Sequence, residues 1–328
     1  MERADGMDAD FGALRIAVLI PCYNEALAVR SVIQGFAKAL PTATILVYDN
    51  NSTDGTAELA RQAGALVRFE TRQGKGYVVR RMFADIEADL YVMVDGDGTY
   101  DPSAVREMIR RLLSDNLDMV NGARQENVSN AYRRGHKFGN ALLSGLVRAM
   151  FGQGYRDMLS GYRVMSRRFV KSFPMTSSGF ELETELSIHS LDMDMPVAEV
   201  SVPFCERADG AESKLRTLPD GFRILWMILK LLKQEKPLLL FGVVTLLLVL
   251  LSIGLAVPLF VTYSETGLVP RLPTAILVTG LMIVAMLSFL CGLVLDTVSR
   301  GRREVKLLHY LREPGVSQIH VGERGRGA

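Results

Sequence analysis

Two stretches of the chain, "LLLFGVVTLLLVLLSIGLAVPLFV" (238–261) and "LPTAILVTGLMIVAMLSFLCGLVL" (272–295), contain no charged residue. Each is roughly 24 residues long, enough as a helix to cross the ~30 Å hydrocarbon layer of a bilayer. A buried helix of a soluble protein usually keeps a polar stripe, and neither stretch has one, so the sequence predicts a transmembrane hairpin. Arg223, Lys230, Lys233 and Lys236 precede it and Arg300, Arg302, Arg303 and Lys306 follow it, while the connecting "TYSETGLVPR" carries only Glu265 and Arg271. By the positive-inside bias both flanks face the cytosol. The opening "MERADGMDAD" has no apolar core, so no signal peptide is expected and the N-terminal region stays cytosolic.

Ahead of the hairpin, short apolar runs alternate with segments of helical period. "IAVLIP" (16–21), "TILVYD" (44–49), "ALVRFE" (65–70) and "LYVMVD" (90–95) read as buried strands. Between the first two, Val29, Val32, Ile33, Phe36 and Leu40 recur at helical spacing. Strand, helix and strand in repetition imply an α/β domain, a mostly parallel sheet with helices on its faces. Ligands of such sheets sit beyond the carboxyl ends of the strands. Each unusual loop here, "PCYNE", "DNNSTDGT", "TRQGKG" and "DGDGT", follows one of the four strands.

Two further stretches suit a membrane surface. From Phe138 onward, Leu142, Leu143, Leu146, Ala149 and Met150 fill one half of a helical wheel, with Arg133, Arg134, His136 and Lys137 just before it. The segment 221–236 is apolar almost all round, with Arg223 and Lys230 on one narrow side. Ordinary core-facing helices are the alternative for both.

A formal net charge of +2 supplies no bulk positive field for nucleic acid. Cys22, Cys205 and Cys291 form no paired spacing, which argues against a disulfide framework or a cysteine zinc site. An EF-hand loop would need Gly where Tyr100 stands and Glu where Arg106 stands. A Rossmann fingerprint would need glycines where "PCYNEA" follows the first strand, and "GKG" lacks the rest of a P-loop. There remains "VMVDGDGTYD", for which a polar turn with no ligand is the alternative. Asp95 and Asp97 lie two apart at the end of an extended run, so both carboxylates project to one side while the chain stays extended. They repel unless a cation joins them, and a hard divalent ion that also takes phosphate oxygens, Mg²⁺ or Mn²⁺, resolves the conflict. Gly96 and Gly98 leave the backbone open to a diphosphate. In "GFELETELSIH" only Glu181 and Glu185 share a helix face, which predicts an exposed acidic side rather than a second metal site. His189 reads as structural.

"IPCYNE", "VYDNNSTDGT", "GKG", "VDGDGTYDP", "DMLSGYRVMSRR" and "RADGAESKL", in that order and ahead of a membrane hairpin, resemble a family 2 glycosyltransferase of GT-A fold. More narrowly they resemble the polyprenyl-phosphate group, the dolichol-phosphate mannose synthases and bactoprenol glucosyltransferases. The resemblance runs from Ile16 to about Arg300 and implies roles for matching positions. Pro21, Tyr23, Glu25 and Asp49, with Gly74 and Lys75 nearby, take the nucleoside. Asp95 lies near the ribose and metal, and Asp97 is the principal metal ligand and a catalytic residue. Thr99 stands where many relatives carry Gln, which removes the basis for a third side-chain contact to the metal. Arg207 and Lys214 hold the diphosphate, and Arg124 and Arg134 grip the lipid phosphate. Asp157 occupies the position usually offered as catalytic base. A lipid monophosphate, with a second pKa of roughly 6, is largely dianionic at neutral pH. It needs no strong base, so Asp157 is expected to orient the acceptor or take a late proton.

The expected organisation is an N-terminal tail (1–13), a cytosolic GT-A domain (14–216), a juxtamembrane amphipathic helix (217–236), two membrane helices (237–297) and a cytosolic C-terminal tail (298–328). The expected activity is inverting, divalent-metal-dependent transfer of a hexose-type sugar from a nucleotide-sugar to polyprenyl phosphate at the cytosolic face, with the bacterial inner membrane as location. UDP is preferred over GDP by resemblance, and homo-oligomerisation through the spans is implied by resemblance alone. Two alternatives stand beside it: a family 2 transferase acting on another lipid or a polysaccharide, and a non-catalytic membrane-anchored nucleotide-sugar-binding adaptor. A channel or transporter is disfavoured because neither span holds an ionisable residue.

Overall fold

A computed structural model describes residues 11, 14–125, 145, 147, 148, 151, 152, 154–175, 182–205, 226, 229, 230 and 232–316. The chain divides into two units, Met1–Gly221 with Lys306–Ala328, and Phe222–Val305.

The first unit is built on a seven-stranded sheet in the order β3-β2-β1-β4-β6-β5-β7. The strands are β1 (Ile16–Cys22), β2 (Thr44–Asp49), β3 (Leu66–Phe69), β4 (Leu90–Met93), β5 (Met119–Gln125), β6 (Arg163–Ser166) and β7 (Val197–Pro203). β1 pairs in parallel with β2 and β4, β2 with β3, and β5 with β7, while β6 runs against both of its neighbours. The mostly parallel α/β sheet expected from the sequence is therefore present. Its centre is apolar on both faces because helices cover both: Val18, Leu19, Ile20, Val47, Val92 and Met93 are fully buried.

The crossovers are α1 (Val29–Ala39), α2 (Thr56–Gln62), α3 (Lys75–Asp85) and α4 (Val105–Ser114). α1 buries Val29, Val32, Ile33 and Phe36, and Leu40 just after it, so the predicted helical stripe is the packing stripe. α5 (Arg167–Ser172) is capped by the Ser166 hydroxyl, which accepts from the Phe169 N–H. α6 (Leu182–Asp192) is buried over most of its length. Two sequence readings need correction. "ALVRFE" is not a buried strand: β3 lies at the sheet edge with one neighbour, and Leu66 and Phe69 are exposed. The fourth strand ends at Met93 and the chain turns at Gly96–Asp97, so extended alternation does not set where the two aspartates point.

The second unit holds α7 (Pro237–Thr266) and most of α8 (Leu272–Arg312), both long and apolar enough to cross a membrane. They pack antiparallel through small and hydroxyl residues. The α-carbon of Gly292 lies so close to Phe241 that a Cβ there would meet it at 2.9 Å, the Thr245 hydroxyl donates to the carbonyls of Phe241 and Ala285, and Ser252 donates to the carbonyl of Val278. Their outward faces carry exposed Leu, Val, Ile and Phe. α8 runs past the expected span end at 295 to Arg312, helped by an Asp296–Arg300 pair one turn apart. Its last turns belong to the first unit, where the Tyr310 hydroxyl and the Arg168 guanidinium both donate to the buried Asp118 carboxylate, and Lys306 pairs with Asp192. Most of the expected interfacial helix from Phe138, and most of 217–236, lie outside the described residues.

Candidate active site

The loops after β1, β2, β3 and β4 meet at the carboxyl ends of the strands. The loop after β1 is fastened to the loop after β2 by side chains that satisfy its backbone: Asn24 N–H donates to the Ser52 hydroxyl, Glu25 N–H to Thr56 and Ala26 N–H to Asp54. Asn24 returns the bond, its amide oxygen accepting from Thr53 N–H, in a left-handed conformation that Asn tolerates. Asn50 then ties down the loop after β3, donating to the carbonyls of Glu70 and Arg72 and accepting from Gly74 N–H at 2.7 Å. Pro21, Tyr23, Glu25, Asp49, Gly74 and Lys75 are thus held by one network of short loops. Tyr23 is exposed. Asp49 is 2% exposed: its Oδ2 accepts from Ser52 N–H, while its Oδ1 has no hydrogen-bond partner among the described residues. A buried acceptor left this way is costly unless a ligand donates to it.

Asp95 and Asp97 follow β4. Gly96 presses on β1, where a Cβ would come within 2.6 Å of the Cys22 sulfur, so this glycine serves close packing. Asp97 is buried, and its Oδ1 accepts from the Thr99 hydroxyl at 2.7 Å and the Thr99 N–H at 3.1 Å. Thr99 therefore orients Asp97. Asp95 packs against Gly161, where any Cβ would collide with the carboxylate. Its Oδ1 accepts from the Lys75 ammonium at 2.5 Å, and the same ammonium donates to Glu183 Oε1 at 2.5 Å. Burial alone would lower the Lys75 pKa, but Asp95 and Glu183 more than reverse this and raise it. Glu183, buried at the start of α6, lies off the Glu181/Glu185 face that the sequence reads as exposed, and Glu185 on that face is half-buried. A carboxylate can leave water when a cation meets it inside, and this one comes from 108 residues away in sequence.

The "DMLSGYR" segment meets this rim through Gly161, whose N–H donates to the Tyr100 hydroxyl at 2.9 Å. Asp157 forms a two-pronged pair with Arg124: Nε to Oδ2 at 2.6 Å and Nη2 to Oδ1 at 2.8 Å, with both side chains mostly buried. Burial works to raise the Asp157 carboxyl, but the hydrogen bonds and charge of Arg124 outweigh it and hold the group below the ordinary carboxylate value. The carboxylate is correspondingly a weak base. Glu199 on β7 accepts from the N–H groups of Arg156 and Asp157, and also from Asn121. Arg163 is wholly buried and donates to the carbonyls of Met158, Ser160 and Glu183 and to the Ser187 hydroxyl, joining the Asp157 loop to α6.

Arg134, Arg207, Lys214 and Glu181 lie outside the described residues. Sequence reasoning missed Glu183 as a partner of Lys75, Glu199 as a clamp and Arg163 as a core guanidinium. A lone acid in the apolar strand "VAEVSVP" and an Arg opening "RVMS" were the available signals. His189 is structural, as expected: it packs between Phe169 and Phe173 beside Ser172, and burial pushes it down to about 3. Among the described residues no three His, Cys, Asp or Glu side chains converge as a metal cage.

The family model for glycosyl transferase family 2 matches residues 17–173. Glycosyltransferase AglJ of Haloferax volcanii is 34% identical over 251 residues, which cover 76% of this chain and 82% of the relative. The chain belongs to glycosyltransferase family 2. A dolichyl-phosphate hexose transferase of the same organism is 28% identical over 221 residues, covering 67% of this chain and 95% of that protein. Among solved structures, glucosyl-3-phosphoglycerate synthase from Mycobacterium tuberculosis, in complex with Mn²⁺, UDP and phosphoglyceric acid, aligns with a TM-score of 0.55 at 25% identity, over 67% of this chain and 78% of that one. The family match spans β1 through α5 and therefore contains every loop of the rim, but it stops before Glu183 and Glu199.

Proposed function

We propose that this family 2 glycosyltransferase moves a hexose-type sugar from a nucleotide-sugar to the phosphate of a polyprenyl phosphate at a membrane surface. The carrying observation is the rim itself, where the buried Asp49 Oδ1, without a partner among the described residues, stands among the loops that also present Asp95 and Asp97. An imide N–H of a uracil-type base is the kind of donor that Asp49 Oδ1 takes, which supports UDP. Tyr23, in the loop after β1, offers an exposed ring at the same rim. The Mn²⁺ and UDP complex of the glucosyl-3-phosphoglycerate synthase supports the same donor class.

A divalent ion fits the residues present. Mg²⁺ and Mn²⁺ in nucleotide sites are usually held by one or two carboxylates plus substrate phosphates rather than by an all-protein cage, and Asp95 and Asp97 are such a minimal set. When bound, the ion would stabilise the negative charge of the departing diphosphate. Asp97, with Thr99 fixing one of its oxygens, and Asp95, backed by Gly161, would hold it. Arg207 and Lys214 are proposed to add positive charge at the diphosphate, and Arg134 at the acceptor phosphate. Arg124 supplies a cation beside Asp157, and an incoming phosphate dianion would compete for it. Asp157 therefore serves to orient Arg124 rather than to remove a proton.

The two long apolar helices support a membrane location, and the dolichyl-phosphate hexose transferase supports a lipid phosphate acceptor. The basic flanks support a cytosolic rim, and the membrane is proposed to be a bacterial inner membrane. The test is a panel of radiolabelled nucleotide-sugars incubated with membranes and polyprenyl phosphate. Label enters the lipid fraction for one donor and is lost in Asp97→Ala. Incorporation by Asp97→Ala at the wild-type rate would refute the metal seat.

A further inference from the structure

The Lys75 ammonium sits at a hydrogen-bonding distance of 2.5 Å from both Asp95 Oδ1 and Glu183 Oε1. The other Asp95 oxygen faces the backbone of Gly161, which has no room for a side chain. A divalent ion cannot share Asp95 Oδ1 with an ammonium at that distance, because the two positive charges repel. The ammonium must withdraw before the ion is held, and a mostly buried cation is costly to leave without a partner. Glu183 meets that need. Its side chain is only 8% exposed, it sits within reach of the same nitrogen, and the four-carbon stem of Lys75 can swing between the two carboxylates.

We infer that Glu183 is a positioning residue: it keeps the Lys75 ammonium on Asp95 as a stand-in cation while the donor site is empty, and receives it when a nucleoside diphosphate arrives with its divalent ion. The protein alone then holds the ion weakly and the protein with nucleotide holds it well, which orders the binding. This rests on the donor-site reading above.

The two substitutions that break the triad act in opposite directions. Lys75→Met removes the competing charge and leaves two carboxylates facing one small space, so Mn²⁺ binding without nucleotide tightens. Glu183→Gln keeps the size of the side chain but removes the refuge, so the ammonium stays on Asp95 and Mn²⁺ binding in the presence of UDP weakens. Each change is roughly tenfold to a hundredfold, the size a charge-assisted hydrogen bond carries.

The experiment titrates Mn²⁺ into the full-length protein in detergent, with and without UDP, and follows the free-ion signal by electron paramagnetic resonance. Opposite shifts in the two variants are expected. Shifts in the same direction, as loss of a merely structural salt bridge would give, or no shift in either, overturn the inference. If Lys75→Met does not fold, Glu183→Gln decides alone, and unchanged or tighter Mn²⁺ binding with UDP overturns it. Wild-type protein that takes up no Mn²⁺ with UDP would instead bring down the donor-site reading itself, and this inference with it.

Discussion

Arg124→Met cuts the two-pronged pair that holds Asp157, and the consequence depends on pH. The bonds at 2.6 and 2.8 Å join side chains that are 16% and 9% exposed. Removing one partner of such a buried pair costs about 3–5 kcal/mol. In a domain of this size 1 kcal/mol moves the melting temperature by about 2–4 °C, so the variant melts roughly 10 °C lower at pH 7. In the wild type the folded Asp157 carboxyl lies below its unfolded value, so its contribution is fully present above the unfolded pKa and is lost as pH falls through the folded one. In the variant, the burial that favours the neutral acid has lost its main opponent, and the folded pKa moves upward. Stability tied to the neutral acid is then present at low pH and lost as pH rises. The gap between wild type and variant must therefore narrow from pH 7 toward pH 4. Circular dichroism melts of the detergent-solubilised proteins across that range measure it. A gap that is absent at pH 7, or that widens on acidification, refutes the assignment of Asp157 as a carboxylate held by Arg124.

Gly161→Ala drives a methyl into the Asp95 carboxylate. Overpacking costs about 1–3 kcal/mol, but transfer activity should fall far more than stability, which parallel activity assays and melts will show. Tyr310→Phe removes a donor from the buried Asp118 carboxylate, which keeps Arg168 and Ser166; a loss of about 1–3 kcal/mol is expected, read as a lower melting temperature with unchanged UDP affinity. His189, pushed down to about 3, is neutral in the fold at neutral pH. Its contribution is present above the unfolded value of about 6.5 and drains away as pH falls toward about 3, so His189→Phe should flatten the acid limb of the stability profile.

The parallel half of the sheet was legible because β1, β2 and β4 are buried on both faces and read as unbroken apolar runs. The rim was legible with it, since strand–helix–strand connections make β1 to β4 parallel and bring each odd loop to the same edge of the sheet. β5 and β6 were not legible. Asn121, Gly122 and Arg124 interrupt the first, and the second is four residues long and opens on an arginine that is wholly buried. No local pattern reveals that Arg163 gives its charge to the carbonyls of Met158 and Ser160 just before it and to that of Glu183 on α6. Glu183 illustrates the same limit. Helical periodicity compares residues three and four apart, whereas the partner that decides its burial is Lys75, at the first turn of α3. β3 was misread as buried because apolarity does not distinguish an edge strand from a central one.

The central claim is that the strand-end rim seats a nucleoside diphosphate through a divalent ion held by Asp95 and Asp97. Isothermal titration of UDP into the full-length protein in detergent, with Mn²⁺ and again with chelator, measures it most directly. The account predicts at least a roughly tenfold loss of affinity on chelation, the equivalent of about 1.4 kcal/mol, and the same loss in Asp97→Ala with Mn²⁺ present. Equal UDP affinity with and without the ion would contradict it.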